Sequence, residues 1–301
     1  MKCEIERRGN LSYAEFKDKY LFANKPVIVT DAIRQWKALS RWTPEFFKNE
    51  FGDMKFTIDS GRNGKANYKG NGATEFTMAG FVQRVFDSTD ENPAPYFRNR
   101  ILSDTFPTLK QDIEPLPEYF FPNWLPEPFL MKNVQQVFNR GAKMEIYIGG
   151  KGGAFPVLHY DGLASHAFLM QIHGRKRFIL YGPEQEPYMY ATEDQPHLSR
   201  VKDVENPDLK TFPLFAKAVP TTFVLEPGEL LFVPSRWWHT TKMLTPSISI
   251  SVNVVNTSNW AALTDFVCQK RRAILRIPSR IYLNLAGAWR TRRDRRNGSI
   301  R

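Results

Sequence analysis

A series of short strand-like segments from Lys143 onward constrains the fold of this chain more than any other feature of its sequence. Each segment is apolar or alternates apolar with polar residues, and Gly or Pro separates it from the next. Because no long helical pattern lies between them, the spacing is typical of an antiparallel sandwich or barrel. The sequence therefore predicts a mainly β fold, a double-stranded β-helix of the jelly-roll type. The segments read MEIYIGG, VLHYD, AFLMQIHG, KRFILYGP, TTFVLEPG, ELLFVP and SISISVNVV.

The strand series divides the chain into three predicted parts. Residues 1–140 form an α/β lead-in that we expect to pack on the core, 141–257 form the jelly-roll core, and 258–301 form a helical, basic extension. In the extension, the stretches WAALTDFVCQKRRAILRI and IYLNLAGAWRTRRDRR both carry apolar residues at helical spacing. The sequence therefore predicts two helices after Asn259.

The lead-in mixes helical and extended patterns. Ser12 before YAEFKDKYLF and Thr43 before PEFFKNEFG are N-cap residues of predicted helices, and the β-branched run NKPVIVTDA predicts a strand. Another short helix is predicted from Thr77 to Val85. Residues 53–75 are rich in Gly, Asn and Lys, which predicts an exposed loop or a flexible hairpin. The prolines and aromatics of residues 105–140 predict an irregular, packed connection.

Composition narrows the class of protein. The 301 residues are 42% hydrophobic, which is enough for a full core. No run of 18 apolar residues occurs, and the N-terminus lacks the apolar stretch of a signal peptide, so we expect no membrane span. The two cysteines, Cys3 and Cys268, offer neither a disulfide framework nor a thiolate metal site. A cytoplasmic location is therefore expected.

The positive charge is concentrated at one end of the chain. The net charge is +11, and the tail from Lys270 to Arg301 holds eleven cations and one acid. Such a tail is expected to bind nucleic acid, to lie on an acidic membrane surface or to form a dimerisation helix. A solvated basic terminus is the alternative, because charge runs at termini are often disordered.

The motif His159-Tyr-Asp161, with a lone His239 further along, is the clearest candidate for a metal site. Residues i and i+2 of a strand point to the same face, so His159 and Asp161 can reach one metal while Tyr160 points away. Two histidines and a carboxylate that leave further coordination positions open are the ligand set of non-haem Fe(II) oxygenases. A core or rim histidine beside two tryptophans is the alternative interpretation of His239.

A second candidate lies in the stretch QIHGRKRFILYGP. Strand alternation places Lys176 on the inward face with Phe178 and Leu180, whereas Arg175 and Arg177 point outward. A buried lysine is costly unless an anion meets it, and a dicarboxylate co-substrate is such an anion. The alternative is a surface hairpin with three solvated cations.

The segment from Ser247 to Asn253 alternates with a period of two and places Ser249, Ser251 and Asn253 on one face. That polar face either points to bulk water or lines a wet cavity while helices cover the apolar face. The pattern alone leaves both arrangements open.

Together these stretches closely resemble the JmjC-type, cupin-like Fe(II)- and 2-oxoglutarate-dependent oxygenases. The branch of the asparaginyl hydroxylase that acts on hypoxia-inducible factor looks nearest. The resemblance runs over roughly residues 145–257, and NKPVIVTDAIRQW is similar to the lead-in of these proteins. The matching stretches are His159-Tyr-Asp161, QIHGRKRFILYGPEQ, ENPDLKTFP, EPGELLFVPSRWWH and SISISVNVV.

The resemblance implies a role for individual residues. His159, Asp161 and His239 would be the iron ligands, Lys176 would hold the distal carboxylate of 2-oxoglutarate, and Asn253 would lie beside this co-substrate. The chain departs from the asparaginyl hydroxylase pattern at two positions, where Pro156 replaces a Thr and where His166 or Ala167 replaces an Asn. Tyr147 on the preceding strand is then a candidate for the missing hydroxyl partner.

The function implied by the resemblance is that of a dioxygenase that uses Fe(II), 2-oxoglutarate and O₂. The expected hydroxyl acceptor is a protein side chain or a small molecule. One alternative is an oxygenase that acts on tRNA or another nucleic acid through the basic tail. Two further alternatives are a non-catalytic interaction protein with the same fold and a cupin metalloenzyme that does not use 2-oxoglutarate, such as an isomerase.

Overall fold

A computed structural model describes residues 4–59, 73–125, 143–269 and 273–296. Within them lie twelve strands and seven α-helices. The strands are β1 Glu6–Arg8, β2 Val27–Val29, β3 Lys55–Asp59, β4 Ala73–Thr77, β5 Phe97–Ile101, β6 Glu145–Gly149, β7 His166–His173, β8 Lys176–Tyr181, β9 Thr221–Leu225, β10 Leu230–Val233, β11 Trp238–Met243 and β12 Ser247–Val254. The α-helices are α1 Tyr13–Phe16, α2 Ala38–Arg41, α3 Pro44–Phe51, α4 Met78–Phe86, α5 Leu102–Thr105, α6 Trp260–Gln269 and α7 Ala273–Arg296. A π-helical stretch, Lys17–Leu21, continues α1, and short 3₁₀ turns span Pro107–Ile113, Glu118–Phe120, Gly162–Ala164, Pro183–Tyr188 and Pro213–Lys217.

Two sheets form the body of the molecule, as the jelly-roll prediction requires. The larger sheet has the strand order β1-β2-β10-β7-β12-β6-β5, and the smaller has the order β11-β8-β9. All neighbours pair antiparallel except β1 and β2. The extended segment 154–159 runs along β11 and is joined to it at Ala154–Lys242 and His159–His239. The predicted mainly β, jelly-roll architecture is confirmed.

The predicted strand VLHYD differs from a regular strand. Only its residue His159 is bridged to β11, and the same residue is bridged to Leu198 on its other side. Pro156 has no N–H to donate to a ladder, and a tight turn begins at Gly162 directly after Asp161. The segment therefore keeps the strand periodicity over His159 to Asp161 without being a full strand.

Strand β12 settles which face of the larger sheet is covered. Its apolar residues are fully buried in the main core, together with aromatic residues of the N-terminal helices such as Phe16, Phe47 and Phe81. Its polar residues line a cavity between the two sheets instead of facing bulk water. Of the two arrangements that the pattern left open, the structure therefore has the wet cavity and the helix-covered apolar face.

The N-terminal helices begin where their caps predict. The Ser12, Thr43 and Thr77 hydroxyls each accept a hydrogen bond from a backbone N–H three residues later, at 3.1–3.2 Å. The segment 53–75 contains the paired strands β3 and β4, in line with the hairpin alternative, and its residues 60–72 lie outside the described part. Strands β1, β2 and β5 of the lead-in belong to the larger sheet, and the three-part division of the chain stays a prediction.

The C-terminal helices divide at a different point from the predicted one. Helix α6 ends at Gln269, and α7 runs from Ala273 to Arg296 through Pro278, where the sequence suggested a break. Pro278 is the sixth residue of α7, past the first turn, so it removes one helical hydrogen bond. Tertiary contacts hold the remainder, because Arg290 donates to the Trp124 carbonyl and Asp294 accepts from the Trp124 indole. Among the described residues, no helix is long and apolar enough to cross a membrane.

Candidate metal centre and its cavity

His159 and His239 face each other across the pair formed by segment 154–159 and β11. Each donates its backbone N–H to the carbonyl of the other, at 3.1 and 2.6 Å. Directly opposed residues project to the same face, and the two imidazole centroids are accordingly 4.4 Å apart. Tyr160 and Trp238, the neighbours in sequence, project to the other face and pack edge-to-face at 5.0 Å. Backbone pairing alone therefore brings the two histidines together.

Local hydrogen bonds fix the tautomer of both rings. Nδ1 of His159 lies 3.1 Å from the Val157 carbonyl, and Nδ1 of His239 lies 3.0 Å from the Trp237 carbonyl. A carbonyl can only accept, so each Nδ1 carries a hydrogen and each Nε2 is the nitrogen that remains for a metal. Desolvation, with His239 close by, lowers the pKa of His159 well below its usual range. The His159 ring is therefore neutral, as a metal ligand must be.

Asp161 completes a cluster of three metal-ligating groups. One of its carboxylate oxygens is 3.7 Å from His239 Nε2, and the ligand atoms of the three side chains lie within 4.8 Å of one another. Desolvation raises the pKa of Asp161, because burial disfavours the charged carboxylate. A divalent cation between the two imidazole nitrogens and the carboxylate would favour the charged form. The donor set fits a non-haem Fe(II) centre with open positions.

A strained turn follows Asp161 immediately. Leu163 and Ala164 have φ values of 62° and 48°, in the left-handed region that disfavours residues with a side chain. This conformation costs about 1–2 kcal/mol per residue relative to the right-handed one. The Ser235 hydroxyl and the Asn259 amide both donate to the Ala164 carbonyl, at 2.7 and 3.2 Å. Tertiary hydrogen bonds thus hold the turn against its local preference.

Lys176 lies inside the cavity, as strand alternation predicts. Its side chain is 3% exposed, and Nζ donates to the hydroxyls of Tyr96 and Ser249. No carboxylate within the described residues forms an ion pair with it. Burial lowers the pKa of Lys176 to about 7. A bound anion would restore its charge, because an opposite charge favours the protonated form.

One cavity of about 160 Å³ contains both the three-residue cluster and Lys176. Tyr147 and Asn253, the two residues predicted to lie beside the co-substrate, both line this cavity. The Tyr147 hydroxyl donates to Glu145 at 2.7 Å, and the Asn253 amide donates to Ser165 at 2.9 Å and to Asp161 at 3.4 Å. The other lining residues are Tyr96, Asn99, Lys143, Glu145, Phe155, Ala167, Leu169, Phe178, Thr241, Ser249 and Ser251.

Two aromatic residues of the site escaped the sequence interpretation. Tyr96 reaches Lys176 from a position 80 residues earlier in the chain. Phe155 stacks on His159, with ring centroids 4.4 Å apart and planes inclined by 18°. Neither carries a local motif, although the position of Phe155 shortly before His159 is a weak signal. His166 is buried and hydrogen-bonded to Ser258 and to the backbone of Ser235, so its role is structural.

Comparison with known proteins identifies the domain family. A model of the cupin-like domain matches residues 13–260. Lysine-specific demethylase 8 of Danio rerio is 30% identical over 256 residues, which cover 82% of this chain and 57% of that protein. JmjC domain-containing protein D of Dictyostelium discoideum is 29% identical over 254 residues, 79% of this chain and 53% of that protein. tRNA wybutosine-synthesizing protein 5 of Gallus gallus is 34% identical over 149 residues, 50% of this chain and 39% of that protein.

The chain spans about half the length of the curated relatives it matches. The closer likeness to the asparaginyl hydroxylase branch stays a prediction. The domain match and these relatives show that the chain belongs to the cupin-like (JmjC) domain family.

Proposed function

We propose that the chain is an Fe(II)- and 2-oxoglutarate-dependent dioxygenase with His159, Asp161 and His239 as its metal ligands. One observation carries the proposal: two imidazoles and a carboxylate meet in the same cavity as a buried lysine. The first group is a site for a divalent metal, and the second is a site for an anion. A 2-oxo dicarboxylate is a ligand that needs both.

Lys176 is the proposed anchor for the distal carboxylate of 2-oxoglutarate. Its contacts with Tyr96 and Ser249 orient Nζ and place two hydroxyls beside the anion. We propose these hydroxyls as partners of the co-substrate in addition to Tyr147, the candidate for the hydroxyl partner that is missing where Pro156 replaces a Thr. A charge-assisted hydrogen bond of this kind is about twice as strong as a neutral one. Tyr147 and Asn253 are proposed as further contacts from the walls of the cavity.

When bound, Fe(II) supplies the activation of O₂ that couples oxidation of the 2-oxo acid to hydroxylation of a nearby C–H bond. The chain itself orients the metal ligands and limits their contact with water. Asn253 holds one oxygen of the Asp161 carboxylate, and the Val157 and Trp237 carbonyls hold the two imidazoles in one tautomer. Phe155 covers one face of His159 and limits its contact with water.

The proposed hydroxyl acceptor is a protein side chain or a small molecule. Two of the relatives are named lysine-specific and arginine-specific demethylases, and another is named a wybutosine-synthesizing protein of tRNA. Hydroxylation of an N-methyl group releases formaldehyde, so demethylation needs the same oxidation of a C–H bond. Release of formaldehyde would indicate demethylation, and a stable hydroxylated product would indicate hydroxylation of another C–H bond.

The partners of the basic tail remain predictions. Helix α7 carries four apolar residues that are each more than half exposed. They are Ile277, Ile281, Leu285 and Trp289. Exposed apolar rows often mark interaction surfaces. The predicted nucleic acid, acidic surface and second copy of the chain are all still candidates for the tail.

Succinate formation from 2-oxoglutarate in the presence of Fe(II) and ascorbate tests the proposal. We expect turnover by the full chain and none by His159→Ala. His173→Ala is the matched control, because His173 lies outside the three-residue cluster and its loss should leave turnover intact. Absence of turnover in the full chain, or full turnover in His159→Ala, would contradict the proposed function and favour a non-catalytic protein or another cupin metalloenzyme.

A further inference from the structure

The C-terminal extension reaches back to the turn that follows Asp161. Asn259, the residue immediately before α6, is 2% exposed and donates its amide to the carbonyls of Ala164 and Val254, both at 3.2 Å. Its side-chain oxygen accepts the backbone N–H of Asn256 at 2.9 Å. The amide orientation is fixed by these bonds, because a flipped amide would point its oxygen at two carbonyls. Asn259 is therefore a rigid donor to the strained turn.

The same turn is connected to the Asp161 carboxylate on its other side. The Ser165 hydroxyl donates to the Gly162 carbonyl at 3.1 Å and accepts from the Asn253 amide at 2.9 Å. That amide also donates to Asp161 at 3.4 Å. Displacement of the turn would therefore move Ser165 and loosen the contact that orients the carboxylate.

Left-handed backbone at two successive non-glycine residues persists only where surrounding contacts enforce it, and such strain is concentrated at functional sites. Ser235 and Asn259 provide those contacts from two different elements, and both converge on the Ala164 carbonyl. The nearest functional group is the Asp161 carboxylate. The strained turn and its two donors are therefore expected to control the position of the Asp161 carboxylate.

We propose that Asn259 is a positioning residue of the metal centre, which it serves by clamping the 162–164 turn so that Asp161 is aimed at the two histidines. The inference rests on the proposed function, since it assumes that Asp161 binds a metal. Ser235 is the second donor of the same clamp. By this inference, Asn259 makes the start of the C-terminal extension a part of the metal site.

Cobalt(II) titration of the metal-free full chain, followed by visible absorption, tests the clamp without turnover. We expect Asn259→Ala and Ser235→Ala to weaken Co(II) binding by about tenfold each and to alter the absorption bands, as loss of an outer partner of a ligand does. Thr264→Val is the matched control. Thr264 is a buried polar residue of α6 whose hydroxyl donates to the Trp260 carbonyl of its own helix and not to the turn.

Thermal unfolding of each variant separates positioning from stability. A clamp predicts that Asn259→Ala and Thr264→Val lower the melting temperature to a similar degree while only Asn259→Ala weakens Co(II) binding. Unchanged Co(II) affinity and spectrum in both Asn259→Ala and Ser235→Ala would overturn the clamp. Failure of the wild-type chain to bind Co(II) would instead overturn the proposed metal site itself, so the two failures are distinguishable.

Discussion

The two ends of the cavity are built in different ways. At the metal end, His159 and His239 are placed by reciprocal backbone hydrogen bonds, and each ring is oriented by a carbonyl two residues earlier in the chain. At the anion end, Lys176 is oriented by Tyr96 and Ser249, which come from distant parts of the chain. The two histidines of the metal end are placed by backbone pairing, whereas Lys176 at the anion end is placed by tertiary side-chain contacts.

This difference has a functional consequence. His159 is neutral before any ligand binds, whereas Lys176 is a buried amine that donates to two hydroxyls and lies over the rings of Tyr96 and Tyr147 without a carboxylate partner among the described residues. A buried charge without an opposite charge is unfavourable, so the anion end carries an energetic cost that a carboxylate ligand relieves. Variants at the two ends should therefore behave differently, and four experiments test that contrast.

The largest effect is expected at the metal end from Asp161→Ala. Loss of one of three ligands should weaken Co(II) binding by more than about 100-fold, beyond the loss expected for an outer partner alone, and should reduce succinate formation to background. Asp208→Ala, which removes an exposed loop carboxylate, is the matched control. Retention of Co(II) binding by Asp161→Ala would remove this residue from the metal centre.

Lys176→Met should affect only the anion end. The substitution keeps the length and apolar stem of the side chain but removes the charge. We expect the KM for 2-oxoglutarate to rise by about 10- to 100-fold, since hydrogen bonds to charged groups contribute about 1.5–3 kcal/mol each, while Co(II) affinity is unchanged. Steady-state succinate formation and Co(II) titration measure the two properties. An unchanged KM would contradict the role of Lys176.

The sequence predicts which residues of one strand share a face, but it does not predict which residues from distant elements meet them. Strand periodicity places His159 and Asp161 on one face and turns Lys176 inward, and the structure has both arrangements. Tyr96 could not be found this way, because it enters the cavity through the pairing of β5 with β6, which includes a register shift after Phe97. Contacts between distant elements depend on such registers, which periodicity within one segment does not specify.

The buried lysine also predicts how stability depends on pH. In the metal-free chain, folding lowers the pKa of Lys176 from 10.5 to about 7. Between these values the unfolded chain holds a proton that the folded chain has lost, so the free energy of unfolding should rise with pH across this window. Below about pH 7 both states are protonated, and the full penalty remains. Denaturant unfolding of wild type and Lys176→Met from pH 6.5 to 10 measures the difference, and parallel pH profiles would contradict the assignment.

The smallest effect is expected from Tyr96→Phe. The ring remains beside Lys176, and only the hydroxyl that accepts from Nζ is lost. One hydrogen bond of this kind contributes about 1 kcal/mol, so the KM for 2-oxoglutarate should rise by about three- to tenfold. Tyr119→Phe is the matched control, since the Tyr119 hydroxyl donates to the Leu11 carbonyl in the core, away from the cavity. Equal KM values in both variants would exclude Tyr96 from the anion end.

The claim that one ligand contacts both ends of the cavity is tested most directly by calorimetry of 2-oxoglutarate binding to the Co(II)-loaded and the metal-free chain. If the co-substrate is held by Lys176 and also meets the metal, the two ligands must strengthen each other's binding by the same factor. We expect Co(II) to tighten 2-oxoglutarate binding by at least about tenfold, which corresponds to a coupling free energy of about 1.4 kcal/mol. Equal affinity with and without the metal would contradict a shared site.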